Sequence, residues 1–422
     1  MLQCASAGCS APLPISVSVG ANAEIAARPL FGRTTTARLL RDFFDAHASV
    51  GLVSYCYAFE PADGSRVRQA IGIGCTTLRE LHGHSMREAA ASVNADGVHV
   101  LVDLTGYTIN PVVELFHYRA APRQLQFHGF PGTMGSTAYD ALVGDVVSTT
   151  AEMGSHFTEP LLLLPTSYLL NTYAVSMPRS RLAQPWLQLL STIEAAADAS
   201  AELPQEEWRE LAARKRADSS LVVFACFNQL YKIDLATFTA WVMILKQVRN
   251  SVLWLLRHHN RNGERRLKER AAAHGLGDRL IFTELIASGV EIEAKSMVDV
   301  FLDTALYNAH TTAIDTCWAS VPILTLPGVT MQSRVASALL MSHSQSIGVA
   351  RSWDDYVNLG TTLALNASKR AELRASLREA VAESRGLWNV RRWMKHFRSA
   401  VRLVLQVDRP MHIVVRDCAA TE

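Results

Sequence analysis

The sequence predicts an α/β protein with two doubly wound domains, each built on a parallel sheet that helices cover on both faces. Its 422 residues correspond to two or three domains at roughly 150 residues each. Apolar runs alternate with helical patterns twice, over residues 30–164 and 219–342, which is typical of parallel sheets. A stretch rich in alanine, glutamate and proline separates the two alternations.

The composition excludes several classes of protein. Hydrophobic residues make up 49% of the chain and charged residues 19%, which is enough apolar surface for packed cores and excludes wholesale disorder. The formal net charge is only +2, whereas nucleic-acid-binding proteins are typically strongly basic. No apolar run approaches the roughly 18 residues of a membrane span. We therefore expect neither nucleic acid nor a membrane as a partner.

The seven cysteines and the start of the chain indicate the compartment. The cysteines are odd in number, scattered, and form no CxxC motif, so we expect no disulfide framework or zinc ribbon and a reducing environment. The first charged residue is Glu24, and the positive segment of a secretory signal is therefore missing. Residues 1–28 are interpreted as a poorly ordered leader. These features favour the cytoplasm or the nucleus.

The N-terminal domain is predicted over residues 29–171. Its strands are expected at short apolar runs, several of which end in a turn: 52–59, 98–104, 124–127 and 161–164. Helical patterns lie between them, at 35–46 and 86–94. Residues 172–218 are predicted to be a linker with some helix.

The second domain is predicted over residues 219–350. Its strands are expected at 220–227, 251–257, 279–283, 299–303 and 321–326, and its helices at 235–248, 261–274, 311–319 and 333–342. Residues 351–422 are predicted to be C-terminal helices. Two doubly wound domains leave a cleft between them, where ligands usually bind.

Two strand-to-helix junctions of the second domain carry candidate chemistry. Lys232 follows a buried strand and precedes a helix, a position from which an ammonium group reaches an anion beyond the carboxyl edge of the sheet. At the other junction a helix begins at Thr311 and Thr312, after His310 and one turn before Asp315. Helix N-termini attract anions, and Asp315 could accept hydrogen bonds from ribose. The alternatives are a solvated loop lysine and a simple threonine cap.

At these junctions the sequence resembles the catalytic region of protein O-GlcNAc transferases, glycosyltransferase family 41. The resemblance is carried by CFNQLYKID at 226–234, LDTALYNAHTTAID at 302–315, DGVHVLVDLTGY at 96–107 and FPGTMG at 130–135. It implies a GT-B fold, in which two Rossmann-like domains face a cleft. It also implies transfer of N-acetylglucosamine from UDP-GlcNAc to serine or threonine of intracellular acceptor proteins, with inversion and without a metal or other cofactor.

The resemblance assigns roles to particular residues of this chain. Gln229 and Lys232 would contact the diphosphate, and Lys232 would stabilise the leaving UDP. His310, Thr311 and Thr312 would hold the phosphates and the donor sugar, and Asp315 would bind the ribose. The segment that recognises uracil corresponds to three residues and the position three further on: Ile286, Ala287, Ser288 and Glu291.

Two departures from the family pattern leave alternatives open. Thr34 stands where the family has a histidine important for catalysis, and Glu291 stands where it has a base-stacking histidine. Threonine cannot act as a base near neutral pH. One alternative is therefore a degenerate relative that binds a nucleotide or a protein without catalysis. The other is a protein O-fucosyltransferase that uses GDP-fucose.

Overall fold

The computed structural model describes residues 13–19, 38–108, 111–177, 205–284, 291–343, 346–408 and 410–417. The chain divides into two units. Unit 1 comprises Met1–Ser176 and Gly386–Glu422, and unit 2 comprises Met177–Arg385. Each is an α/β unit with its own parallel sheet, and each is described below by itself.

Unit 1 is built on a sheet of eight described strands in the order β13-β7-β6-β5-β4-β1-β2-β3, all paired in parallel. Parallel pairing puts the carboxyl ends of the strands at one edge, where the connecting loops gather. The strands are β1 (Leu13–Val19), β2 (Leu52–Ala58), β3 (Thr77–Glu80), β4 (Val100–Asp103), β5 (Arg123–Gln126), β6 (Ala141–Asp145), β7 (Leu161–Leu164) and β13 (Ile413–Val414).

The helices of unit 1 range from 4 to 17 residues in length. They are α1 (Phe43–Ala48), α2 (Arg66–Gly74), α3 (Met86–Ala95), α4 (Val113–His117), α5 (Tyr173–Ser176) and α14 (Val390–Gln406). Helix α3 begins in a capping box, in which Ser85 and Glu88 satisfy each other's backbone N–H groups. Its alanines Ala89 and Ala90 are buried, because small side chains let the helix approach the sheet closely.

Unit 2 is built on a sheet of five described strands in the order β10-β9-β8-β11-β12, again all parallel. Its strands are β8 (Val222–Cys226), β9 (Ser251–Leu256), β10 (Leu280–Thr283), β11 (Val300–Leu302) and β12 (Ile323–Leu324). Its helices are α6 (Gln205–Ala217), α7 (Leu235–Gln247), α8 (Arg261–Ala272), α9 (Glu291–Lys295), α10 (Thr311–Trp318), α11 (Val335–Ser342), α12 (Trp353–Leu365) and α13 (Ala367–Ala382). Strands β8 and β9 are buried throughout, as strands covered on both faces should be.

The predicted leader is wrong where it includes residues 13–19. These residues form β1, which lies between β2 and β4 and pairs Val17 with both Cys56 and Val102. The period-two alternation of LPISVSV fits a strand, but such a short run does not reveal its partners. The rest of the predicted leader lies outside the described residues.

The C-terminal stretch does not form one separate segment. Helices α12 and α13 belong to unit 2, while α14 belongs to unit 1. In unit 1, the ring of Trp393 stacks on Phe127 and that of Phe397 lies 6.2 Å from Phe43. In unit 2, the hydroxyl of Tyr356 donates to the backbone oxygen of Asp303. Aromatic side chains thus hold α14 in unit 1 and α12 in unit 2.

The cysteine prediction also needs correction. A disulfide joins Cys56 of β2 to Cys75, whose Cα atoms are 6.1 Å apart. Helix α2 connects β2 to the adjacent β3 and so returns the chain to the same place. The separation of 19 residues between the two cysteines does not by itself predict that they are paired.

Candidate functional site

Lys232 occupies the loop between β8 and α7. A short 3-10 turn, Leu230–Lys232, carries it, and the Asp234 side chain caps the following helix by accepting from the N–H of Thr237. The Lys232 Nζ donates to the backbone oxygen of Asn308 at 3.1 Å and lies 3.8 Å from the centroid of the Tyr307 ring. The ammonium of one predicted junction therefore meets the loop of the other.

The electrostatics of Lys232 are set by burial. Desolvation lowers the pKa of Lys232 to about 8, and the carboxylate of Asp303 opposes that shift. A pKa near neutrality in a strand-end loop is the pattern of a functional cation. At neutral pH the ammonium remains largely charged, with little water around it.

Asp303 follows β11 and organises the loop that ends at His310. Its Oδ1 accepts from Asn228 Nδ2, the Thr304 N–H and the Ala309 N–H, and its Oδ2 accepts from the Thr325 hydroxyl at 2.8 Å. Burial nonetheless raises the pKa of Asp303 to about 6. The loop is thus tied around a buried carboxylate that stands behind Lys232.

The loop delivers His310 to the start of helix α10. The Nε2 of His310 lies 3.1 Å from the backbone oxygen of Gln332, which also accepts from the N–H of Asn308 at 2.9 Å. Thr311 and Thr312 are half-buried and form the first turn, where backbone N–H groups have no intrahelical acceptor. An anion at this point would meet helix N–H groups, hydroxyls and the nearby ammonium.

Asp315, one turn into α10, is already paired. Lys295 Nζ donates to its Oδ2 at 2.5 Å, and both side chains are almost completely buried. Lys295 ends helix α9, which begins at the half-buried Glu291. Of the other predicted residues, Gln229 is exposed and accepts from the Lys232 N–H through its backbone oxygen. Ile286, Ala287, Ser288 and Thr34 lie outside the described residues.

Sequence reasoning missed four residues of this arrangement: Asp303, Tyr307, Asn308 and Lys295. Asp303 carried a usable signal, because a polar residue directly after a buried strand lies at the same edge as Lys232. Tyr307 and Asn308 stand in the quoted motif but were given no role. Lys295 offered no signal, since its partner is on a different helix.

Two further properties concern the ranges that the structure describes. Within them no three histidine, cysteine, aspartate or glutamate side chains are grouped so that they could hold a metal ion. Across the same ranges, every helix is too short or too polar to cross a bilayer.

The sequence is similar to known glycosyltransferases. The model of glycosyl transferase family 41 matches residues 28–182 and 182–397. A probable UDP-N-acetylglucosamine–peptide N-acetylglucosaminyltransferase, SEC, of Arabidopsis thaliana is 33% identical over 87% of this chain and 35% of its own length. The UDP-N-acetylglucosamine–peptide N-acetylglucosaminyltransferase of Caenorhabditis elegans is 26% identical over 82% of this chain and 37% of its own length. The chain thus spans about a third of the length of these relatives.

Solved structures give the fold. An O-GlcNAc transferase mutant from Thermobaculum terrenum matches with a TM-score of 0.73 and 23% identity, over 94% of this chain and 69% of that chain. The Anabaena protein HepE, in complex with UDP and glucose, matches with a TM-score of 0.58 and 7% identity, over 92% of this chain and all of that one. These likenesses confirm the predicted GT-B fold class.

Proposed function

We propose, from the premise that this chain belongs to glycosyltransferase family 41, that it transfers N-acetylglucosamine from UDP-GlcNAc to serine or threonine hydroxyls of proteins. The observation that carries the proposal is the contact between the Lys232 ammonium and the loop that begins helix α10. A half-buried cation beside a helix N-terminus suits the pyrophosphate of a sugar nucleotide. The names of the Arabidopsis and Caenorhabditis relatives support the choice of donor and acceptor.

The chemistry required is charge stabilisation during departure of UDP. The acceptor oxygen forms a bond to the anomeric carbon, from the face opposite the phosphate, while the bond between that carbon and the phosphate oxygen breaks. UDP leaves with the electron pair of the broken bond, and the proton of the acceptor hydroxyl is released to solvent. Negative charge then grows on the leaving phosphate, where Lys232 offers a preorganised positive charge. The N–H groups and hydroxyls of Thr311 and Thr312 would bind the same phosphates, with His310 beside them and Gln229 at the outer end of the loop.

The nucleoside end of the donor would lie toward α9 and the inner part of α10. Asp315 is the proposed acceptor for the ribose hydroxyls. Its pairing with Lys295 favours an ionised carboxylate, which is the stronger acceptor. Ile286, Ala287, Ser288 and Glu291 remain the proposed contacts to the base.

The proposed reaction needs no metal ion, because Lys232 and the helix terminus neutralise the leaving group. The acceptors would be proteins of the cytoplasm or nucleus. Transfer that survives EDTA and stops with excess UDP is the expected behaviour. Loss of transfer in EDTA, with recovery on addition of Mg²⁺ or Mn²⁺, would contradict the metal-independent mechanism.

The decisive test is transfer of radiolabelled N-acetylglucosamine from UDP-GlcNAc to a serine- and threonine-rich protein. Lys232→Ala is expected to lower kcat/KM by about 10²-fold, on the order of 3 kcal/mol, the effect of one preorganised electrostatic contact. Lys246→Ala is the matched control, because Lys246 is exposed on α7. Equal activity of the wild type and the Lys232→Ala variant would refute the proposal.

A second candidate function is binding of a nucleotide without turnover, which the replacement of a family histidine by Thr34 favours. Calorimetry separates the two functions, since UDP would bind while no label reaches protein. A changed base segment with Glu291 also leaves GDP-fucose as an alternative donor. Competition between UDP and GDP for the same site decides between the donors.

A further inference from the structure

The Tyr307 side chain lies between two of the proposed site residues. The centroid of its ring is 3.8 Å from Lys232 Nζ and 4.9 Å from the centroid of the His310 ring, to which it is inclined by 44°. The first distance places the ammonium directly against the aromatic face, well inside the roughly 6 Å limit for a cation–π contact. Tyr307 is therefore in contact with both.

The backbone around Tyr307 is fixed. The Thr304 hydroxyl donates to the Tyr307 backbone oxygen at 2.6 Å, and the Asn308 Nδ2 donates to the Thr304 backbone oxygen at 2.7 Å. On the far side, the Ala309 N–H donates to Asp303. These bonds fix the backbone on either side of the tyrosine and so hold the start of its side chain next to Lys232.

The ring occupies a particular side of the ammonium. An ammonium has three N–H donors, of which one is used by the Asn308 oxygen at 3.1 Å. The ring covers a second direction, and among the described residues no hydrogen-bond acceptor occupies the third, which can therefore face an anion. The other ionisable groups that interact with Lys232 come from neighbouring strand ends: Asp303 after β11, Cys226 at the end of β8, and His258 after β9.

We propose that Tyr307 is a positioning residue, whose aromatic face keeps the Lys232 ammonium charged and directs its free N–H toward the anion. The identity of that anion as a sugar nucleotide rests on the function proposed above. The effect of the ring on Lys232 is independent of that function, because it is a property of the unliganded protein. The sequence analysis assigned no role to Tyr307.

The competing interpretation is that Tyr307 only fills space. Leucine is apolar and excludes water but has no π face, whereas phenylalanine keeps the face and removes only the hydroxyl. Space filling predicts that Tyr307→Leu behaves like Tyr307→Phe. A cation–π role predicts that the two variants differ at Lys232.

The experiment is an NMR titration of the whole chain with ¹³C at the lysine Cε atoms, in which Lys232→Arg identifies the Lys232 signal. The Lys232 pKa should be the same in Tyr307→Phe as in the wild type, and lower by about 0.5–1 unit in Tyr307→Leu, the size of a partly desolvated cation–π contact. An unchanged pKa in Tyr307→Leu, or an equal change in both variants, would overturn the proposal. If Tyr307→Leu does not show native circular dichroism, Tyr307→Met is measured in its place with the same expectation.

Kinetics provide the second measurement and keep the two proposals distinct. In Tyr307→Leu the alkaline limb of the pH profile of kcat/KM for UDP-GlcNAc should move to lower pH by the same amount as the pKa. In Tyr307→Phe the limb should stay at its wild-type position. If the wild-type protein transfers no sugar, the proposed function fails while the titration still decides the role of Tyr307. If transfer occurs but Lys232 titrates alike in all variants, only the role of Tyr307 fails.

Discussion

In each unit, a buried aspartate at the end of one strand accepts hydrogen bonds from the loop that follows. The two units differ in the side chain that lies opposite this loop. In unit 1, Asp103 ends β4, accepts from the N–H groups of Thr105 and Gly106, and accepts from the Tyr139 hydroxyl at 2.8 Å. In unit 2, Asp303 follows β11 and accepts from its own loop in the same way. A buried aspartate thus satisfies the first N–H groups that leave each strand.

A tyrosine follows each aspartate by four residues, and here the units diverge. Tyr107 packs edge-on against Phe130 and donates to the Met134 backbone oxygen at 2.7 Å. Tyr307 instead faces the ammonium of Lys232. The aspartate and its loop thus stabilise the fold in both units, whereas the chemistry depends on the side chain that a neighbouring strand contributes.

The largest effect is expected where unit 2 buries charge most completely. Lys295→Met should lower the free energy of unfolding by about 3–5 kcal/mol, because it leaves the Asp315 carboxylate buried without its cation. Arg265→Met is the control, since its ion pair with Glu269 is exposed on α8 and should change stability by less than about 0.5 kcal/mol. Urea denaturation measures both, and similar losses would show that burial of the pair is not what matters.

The buried aspartate at the strand end can be tested in both units by the same substitution. Asp303→Asn and Asp103→Asn should each destabilise the protein by about 2–3 kcal/mol, because an amide N–H₂ replaces an oxygen that accepts from buried donors. The units should differ in a second measurement: the pKa of Lys232, followed by NMR, should fall in Asp303→Asn and stay unchanged in Asp103→Asn. A fall in both variants, or in neither, would contradict the comparison.

The dependence of stability on pH should reflect the titration of Asp303 and Lys232 in unit 2. The pKa of Asp303 is raised from 3.8 to about 6, so the folded state holds more protons between these values and stability falls as pH rises through that window. The pKa of Lys232 is lowered from 10.5 to about 8, so stability rises again as pH increases from 8 to 10.5. Lys232→Met should remove the alkaline rise, about 2 kcal/mol after allowance for partial exposure. A rise that persists in this variant would assign it to other groups.

The smallest effect is expected in the loop of unit 1. Tyr107→Phe removes the hydrogen bond to Met134 and should lower the free energy of unfolding by about 1 kcal/mol. The Lys232 signal in unit 2 should not change. A change there would mean that the two loops do not act independently.

The sequence predicted more of the second unit than of the first. In unit 2, strand β9 begins at the predicted residue 251, and the loops at 227–234 and 303–310 meet because adjacent parallel strands end at one edge. Unpredictable features arise from long-range contacts. The pairing of β1 in mid-sheet, the Lys295–Asp315 pair and the Cys56–Cys75 disulfide each join separate elements, and no local pattern specifies the partner.

Strand β1 also determines where this chain can be shortened. Because β1 pairs with β2 on one side and with β4 on the other, deleting residues 1–28 would open a gap in the sheet interior instead of trimming a tail. Two rows of backbone N–H and C=O groups would lose their partners at once, and bare strand edges of this kind recruit other chains. A recombinant protein that begins at residue 29 should therefore be recovered as aggregates, whereas the same truncation supplied with a peptide of residues 1–28 should regain solubility.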